Sequence, residues 1–188
     1  MIRAFHGIHT ASGQSAMTAL FPYLGEPVAW HDYGWIAALE SRRINPVVAG
    51  SVRPCISPDD VLIGHSNGCA IIYELIQGGS WPRGVVFING ALRPDFILPK
   101  SVKWAHVYWN AGDDYVLLAT VGAAEGLVDP SWGDLGHTGY TGADPRVTNY
   151  NCGPQVDGHS DIFTPANMAT WGPQIAANIK GASNGTVS

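Results

Sequence analysis

Gly64-His65-Ser66-Asn67-Gly68 sets a serine between two glycines, with the apolar "DVLIG" before it and "CAIIYELI" after it. A serine held in a tight turn from strand to helix becomes a nucleophile once a base takes its proton, and small flanking residues let strand and helix approach each other. The same five residues could also make a plain turn. What distinguishes the two readings is whether a base and an acid follow at later turns. Two histidines lie beyond the fifth apolar stretch, His137 in "WGDLGHTGY" and His159 in "QVDGHSDIF". His159 is the better base, because it stands in a polar, glycine-containing turn directly before the last helical stretch.

For the acid, "HVYWNAGDDYV" ends an apolar run and turns through Gly112, bringing Asp113 and Asp114 to the carboxyl end of a strand. Asp113 is preferred for its spacing to Val116, and Asp114 is the alternative. Asp pairs also cap helices, so both readings stay open here. Asp157 lies too near His159 in sequence to orient it. A tetrahedral oxyanion would need two backbone donors. Asn67 supplies one, directly after the serine; in "FHGIHTASG" the N–H of Ile8 supplies the other, with Gly7 next. His65, Trp132 and Tyr140 are candidate substrate walls, the last two in a long segment that also holds Tyr150.

Five short apolar segments read as buried parallel strands: Ile2 to Phe5, Val28 to Trp30, Val61 to Ile63, Val85 to Ile88 and Trp104 to Trp109. Between them "SGQSAMTALFPYL" has helical spacing, with Ser12 or Ser15 as its cap. "WIAALESRR" reads as a helix. "NPVVAGSV" reads as a separate short one, with Asn45 as cap and Pro46 in its first turn. A helix starting beside Ser66 stops at Gly78-Gly79, and a last one begins near Pro165, with Pro173 a candidate kink. Alternation of strand and helix predicts a three-layer α/β domain: a mainly parallel sheet of about five to six strands with helices on both faces. Glu125 to Gly158, rich in Gly, Pro, Asp, Asn and Thr, reads as a loop without regular structure, of the length that serves as a lid or binding loop.

At 188 residues the chain fits one domain over 1–181, with a flexible tail over 182–188. With 46% hydrophobic and 13% charged residues it can bury a core, and its net charge of -5 argues against nucleic acid as a partner. Cys55, Cys69 and Cys152 are an odd number without CxxC spacing, which speaks for reduced thiols. His6, His9 and His31 lack metal-ligand spacing, and "TASGQS" lacks the lysine of a phosphate loop, so neither metal nor cofactor is expected. Without a leader or a membrane-length apolar run, the expectation is a cytoplasmic protein with no membrane span.

"HGI", "GHSNG", the aspartate after the next-but-one strand and "GHSDIF" together resemble an α/β-hydrolase, over nearly the whole chain. The resemblance is to a minimal member, without the first antiparallel strands or a cap domain. "DYGWI" and the segment around Trp132 are similar to small lipase-like hydrolases, some encoded by bacteriophages. It implies acyl transfer to water: Ser66 attacks an ester carbonyl of a small or acylated substrate, His159 carries the proton and Asp113 steadies the imidazolium. Thioesterase and glycan deacetylase chemistry fit the same residues. A catalytically idle binding or structural module on this scaffold is the reading from another class.

Overall fold

The computed structural model describes residues 1–10 and 14–183. Six strands form a single parallel sheet in the order β2-β1-β3-β4-β5-β6. They span Ile2–Phe5 (β1), Val28–His31 (β2), Val61–His65 (β3), Gly84–Ile88 (β4), Trp104–Trp109 (β5) and Val147–Asn151 (β6). The chain steps outward from β1 to β2, returns past β1 to β3, and then proceeds in the other direction. The reversal falls between β1 and β3, where the loops after the two strands diverge and leave a crevice. Ser66 follows β3 at this point.

Successive strand residues face opposite layers, and the two cores follow that period. Leu62, Val85, Phe87, Ala105 and Val107 pack on one side with helices α1 (Ser41–Val52) and α2 (Asn67–Gln77). Val61, Ile63, Val86, Ile88 and Tyr108 pack on the other, against α5 (Pro165–Ser183) and a 3-10 segment, Ala16–Tyr23. Each fully buried aliphatic side chain contributes roughly 1.5–3 kcal/mol of transfer free energy, so both layers are needed. The expected three-layer arrangement is present, with every strand pair parallel. Ser15 caps the 3-10 segment, its hydroxyl accepting the Met17 N–H; the alternative cap, Ser12, lies outside the described residues.

Several local expectations change. "WIAALESRR" and "NPVVAGSV" form a 3-10 turn, Ala38–Glu40, that runs directly into the single helix α1. Asn45 is therefore an interior helix residue, and its amide is consumed by a buried network described below. The stretch after Asp113 is a helix, α3 (Asp114–Ala124). The segment 125–158 contains a short helix, α4 (Leu135–Thr138), and the edge strand β6. Its alternation was hidden because "VTNYN" is polar: one edge of this strand is unpaired and its side chains are mostly half-exposed. α5 continues through Ser183, so the first two residues of the segment expected as a tail, 182 and 183, are helical; 184–188 lie outside the described residues.

Two glycines set the spacing at the serine. A Cβ on Gly68 would lie 2.2 Å from the Phe5 carbonyl oxygen, and one on Gly64 2.8 Å from the Cys69 nitrogen. The first turn of α2 thus rests on backbone at the end of β1. Gly50, midway along α1, has open space around its Cβ position. Gly68→Ala is expected to cost about 3 kcal/mol or more, while Gly50→Ala stabilises by roughly 0.5–1 kcal/mol through helix propensity. Urea midpoints of the two variants check this opposition.

Candidate active site

Ser66, His159 and Asp113 lie together at the carboxyl end of the sheet, with Gly7, Ile8 and His65 around them. Ser66 follows β3 with φ 56° and ψ -125°, a left-handed region that non-glycine residues seldom enter. Such strain costs about 1–3 kcal/mol and persists only where neighbours fix it. Here the Ser66 N–H donates to the Ile88 carbonyl, and its own carbonyl accepts the N–H groups of Cys69 and Ala91. Phe5 and Gly64 are paired in the β1–β3 register, which brings Gly7 opposite Ser66. A Cβ on Gly7 would lie 2.9 Å from Ser66 Cβ and 3.3 Å from its Oγ. Only a residue without a side chain leaves room for the serine there.

Asp113 and His159 meet across 46 residues of sequence. The buried Asp113 carboxylate accepts the His159 Nδ1–H, with both oxygens at 2.9 and 3.0 Å. That bond fixes the tautomer, leaving Nε2 with the lone pair. His159 Nε2 is buried and has no hydrogen-bond partner, and no bond joins it to Ser66 Oγ among the described residues. Ser66 and His159 line one cavity of about 100 Å³ together with Gly7, Ile8 and His65. Of the rival assignments, Asp114 is 83% exposed and lies 3.9 Å from His137 Nδ1. Neither Asp114 nor His137 lines a cavity with Ser66.

The histidine loop is tied down by amides that its sequence gave no sign of. Asn89, at φ 43° just after β4, donates from Nδ2 to the carbonyls of Gly158 and His159 at 3.1 and 2.7 Å. Asn110, just after β5, donates to the Gly158 carbonyl and accepts the N–H groups of Gly112 and Gly158. His65 adds a third tie: its Nε2–H donates to the His159 carbonyl at 3.0 Å. It lines the cavity, with its donor already spent on the loop. Gly158, at φ 149°, supplies a conformation closed to other residues.

The loop after β1 is equally constrained. Tyr33 donates its hydroxyl to the His6 carbonyl, and the His6 Nδ1–H donates to the Gly7 carbonyl at 2.7 Å. Because the peptide is trans, the Ile8 N–H points opposite to the Gly7 carbonyl, away from the His6 ring. Among the described residues this N–H has no acceptor. Asn67 opens α2, so its N–H is one of the unpaired donors of a helix start.

A second cavity, about 200 Å³, opens at Ser66 between Ile8, Ala38, Ala91, Val116, Val128 and Trp132. Trp132 lines this cavity. Its Nε1–H donates to Asn67 Oδ1, which also accepts from Asn45. Asn45 donates in turn to Asp129, whose other oxygen accepts from Ser131. This buried chain joins α1, the start of α2 and the segment around Trp132. Tyr140 is elsewhere: its ring packs on Phe96 at 4.8 Å and its backbone pairs with the Asn149 side chain. Tyr115, not anticipated, stacks on His159 at 4.7 Å and lines both cavities.

Burial pushes the Cys69 thiol well above its ordinary range, so it stays protonated beside Ser66. Among the described residues no group of His, Cys, Asp and Glu could hold a metal, and no helix is long and apolar enough to cross a membrane. His6, His9 and His31 each stack on an aromatic ring instead.

No protein-family model matches the sequence, and no curated protein does at a significant level. Solved structures match. A Thermus thermophilus protein superposes with a TM-score of 0.54 at 16% identity, covering 97% of this chain and 88% of that one. A Pectobacterium atrosepticum protein described as a YdeN-like hydrolase gives 0.54 at 16%, covering 100% and 92%. Aspergillus fumigatus lipase B gives 0.51 at 12%, covering 86% of this chain and 48% of the lipase. The likeness establishes the fold alone, a parallel sheet covered by helices on both faces.

His65 makes the fold acid-sensitive. Burial, then the neighbouring His159, push its imidazole down to about 3, outweighing the opposing hydrogen bond to the His159 carbonyl. The unfolded chain takes up this proton near pH 6.5 and the folded one near 3, so stability is complete above pH 6.5 and falls below it. His65→Gln, which keeps a donor for the carbonyl, is expected to remove on the order of 2 kcal/mol of the loss between pH 7 and pH 5. Urea unfolding at both pH values measures the difference.

Proposed function

We propose that the protein is a serine hydrolase that cleaves a carboxylic ester through an acyl-enzyme, with Ser66 as nucleophile, His159 as base and Asp113 as orienting acid. The observation that carries this is the Asp113 carboxylate on His159 Nδ1, which leaves the lone pair of Nε2 unpartnered in the cavity that Ser66 lines. Catalytic hydrogen bonds are commonly long in a free enzyme and tighten with substrate, so the open Ser66 to His159 contact is compatible with this role. In the reaction Ser66 Oγ bonds to the ester carbon as its proton passes to His159 Nε2. The Asn67 and Ile8 N–H groups donate to the oxyanion. The bond from carbon to the leaving oxygen then breaks, and His159 returns the proton to it. Water repeats the sequence from the other side, releasing the acid and restoring Ser66.

The competing reading of an idle module predicts a folded protein whose serine does not react. Incubation with a fluorophosphonate probe and assay on short nitrophenyl esters separate the two. Ser66 is expected to be labelled, and Ser66→Ala to abolish both labelling and turnover. Asp113→Asn should lower kcat by about 10⁴-fold, and Asp114→Asn by less than about threefold, since its carboxylate faces solvent and His137. Absence of label on folded protein would refute the assignment.

A further inference from the structure

Two cavities, one apolar and one of mixed lining that holds the hydroxyl and imidazole groups, meet at Ser66, sharing Ile8 and Tyr115 as their common border. The larger is walled by carbon. Ala38, Ala91, Val116, Leu118 and Val128 offer only aliphatic surface, and the one polar atom of Trp132 is taken up by Asn67. The smaller is walled by Thr10, Ser15, His65, His159 and Ser160. The hydroxyl of Ser15 accepts one N–H, that of Thr10 donates to the Ile8 carbonyl, and both keep further hydrogen-bonding capacity.

The position of the base decides which half of an ester goes where. His159 must hand its proton to the departing oxygen, so the alcohol half has to lie on the side that His159 lines. His159 lines the cavity of mixed lining and not the apolar one. From this we infer that the protein hydrolyses esters of medium-length straight-chain acids with small, hydroxylated alcohols such as glycerol: acyl chain against Trp132 and Val128, alcohol against Ser15 and Ser160. This rests on the Ser66, His159, Asp113 reading and adds the substrate class to it.

The volumes set the chain length. An apolar cavity of about 150 Å³ holds a six-carbon ring, so about 200 Å³ corresponds to an acyl chain of roughly eight carbons. Beyond that the chain leaves past Leu118, which is 74% exposed at the mouth. Atoms balance as in any ester hydrolysis: one ester and one water give the fatty acid and the free polyol, with no other reactant.

The test is a series of glycerol monoesters from acetyl to dodecanoyl, with the matching ethyl esters, on protein first shown to label at Ser66 with fluorophosphonate. The expected result is a kcat/KM that rises at least tenfold from acetyl to octanoyl and gains less than twofold from octanoyl to dodecanoyl, with glycerol esters at least fivefold above ethyl esters. Val128→Phe, or Ala38→Phe should the first variant not fold, is expected to lower the octanoyl-to-acetyl ratio at least tenfold while labelling persists. A labelled protein with a flat profile, an acetyl optimum, or no preference for glycerol overturns the inference and leaves the triad standing. A folded protein that does not label overturns both.

Discussion

The backbone contact between the first turn of α2 and the end of β1 is the constraint on which the site depends. Gly68 rests on the carbonyl of Phe5, with no space for even a methyl group. This closeness holds the first turn of α2 against the carboxyl end of β1, and Ser66 makes the connection from β3 in a strained conformation. It also brings the loop after β1 within contact of the serine, so that Gly7 faces Ser66 Cβ. Strain at one residue, bareness at three glycines and the convergence of two loops are therefore parts of one steric arrangement. Since folded proteins have only about 5–15 kcal/mol of net stability, the two packed cores on either side of the sheet must hold this arrangement in place.

Around that point, amide side chains do the positioning that charges often do elsewhere. Asn89 and Asn110 hold the His159 loop by its carbonyl and N–H groups, and Asn45 and Asn67 hold the segment carrying Trp132. An amide both donates and accepts, so one buried side chain can fasten two strands of backbone without the desolvation cost of a buried ion. The imidazole of His65, kept neutral by burial, serves the same end.

What the sequence disclosed follows the range of the interactions. The elbow around Ser66 was legible because strand, turn and helix are contiguous, and its glycines answer to backbone a few residues away or on the adjacent strand. Four of the five apolar strands, β1, β3, β4 and β5, were legible from composition because they are almost wholly buried, and the half-buried edge strand β2 because Val28, Ala29 and Trp30 are apolar. Asp113 rather than Asp114 could be preferred on spacing alone; burial of one and exposure of the other gives the physical distinction. β6 was hidden because an edge strand needs no apolar run, and α3 because "YVLLATVGAA" is apolar on every side and so has no period. Asn45, Asn89 and Asn110 could not be found, since each acts on a residue 22 to 84 positions away. Tyr140 was drawn into the site by its place in the long segment, but the ring goes to Phe96.

The hydrogen bond from Trp132 to Asn67 gives the apolar wall and the residue next to Ser66 a shared anchor. A side chain at 132 that only fits the cavity better, without an N–H at that distance, would leave the Asn67 carbonyl oxygen one donor short at the root of the elbow. Reshaping this pocket at Trp132 is therefore also a change at the elbow: Val128 and Leu118 line the cavity without a bond to Asn67, whereas Trp132 ties its shape to the stiffness with which Ser66 is held.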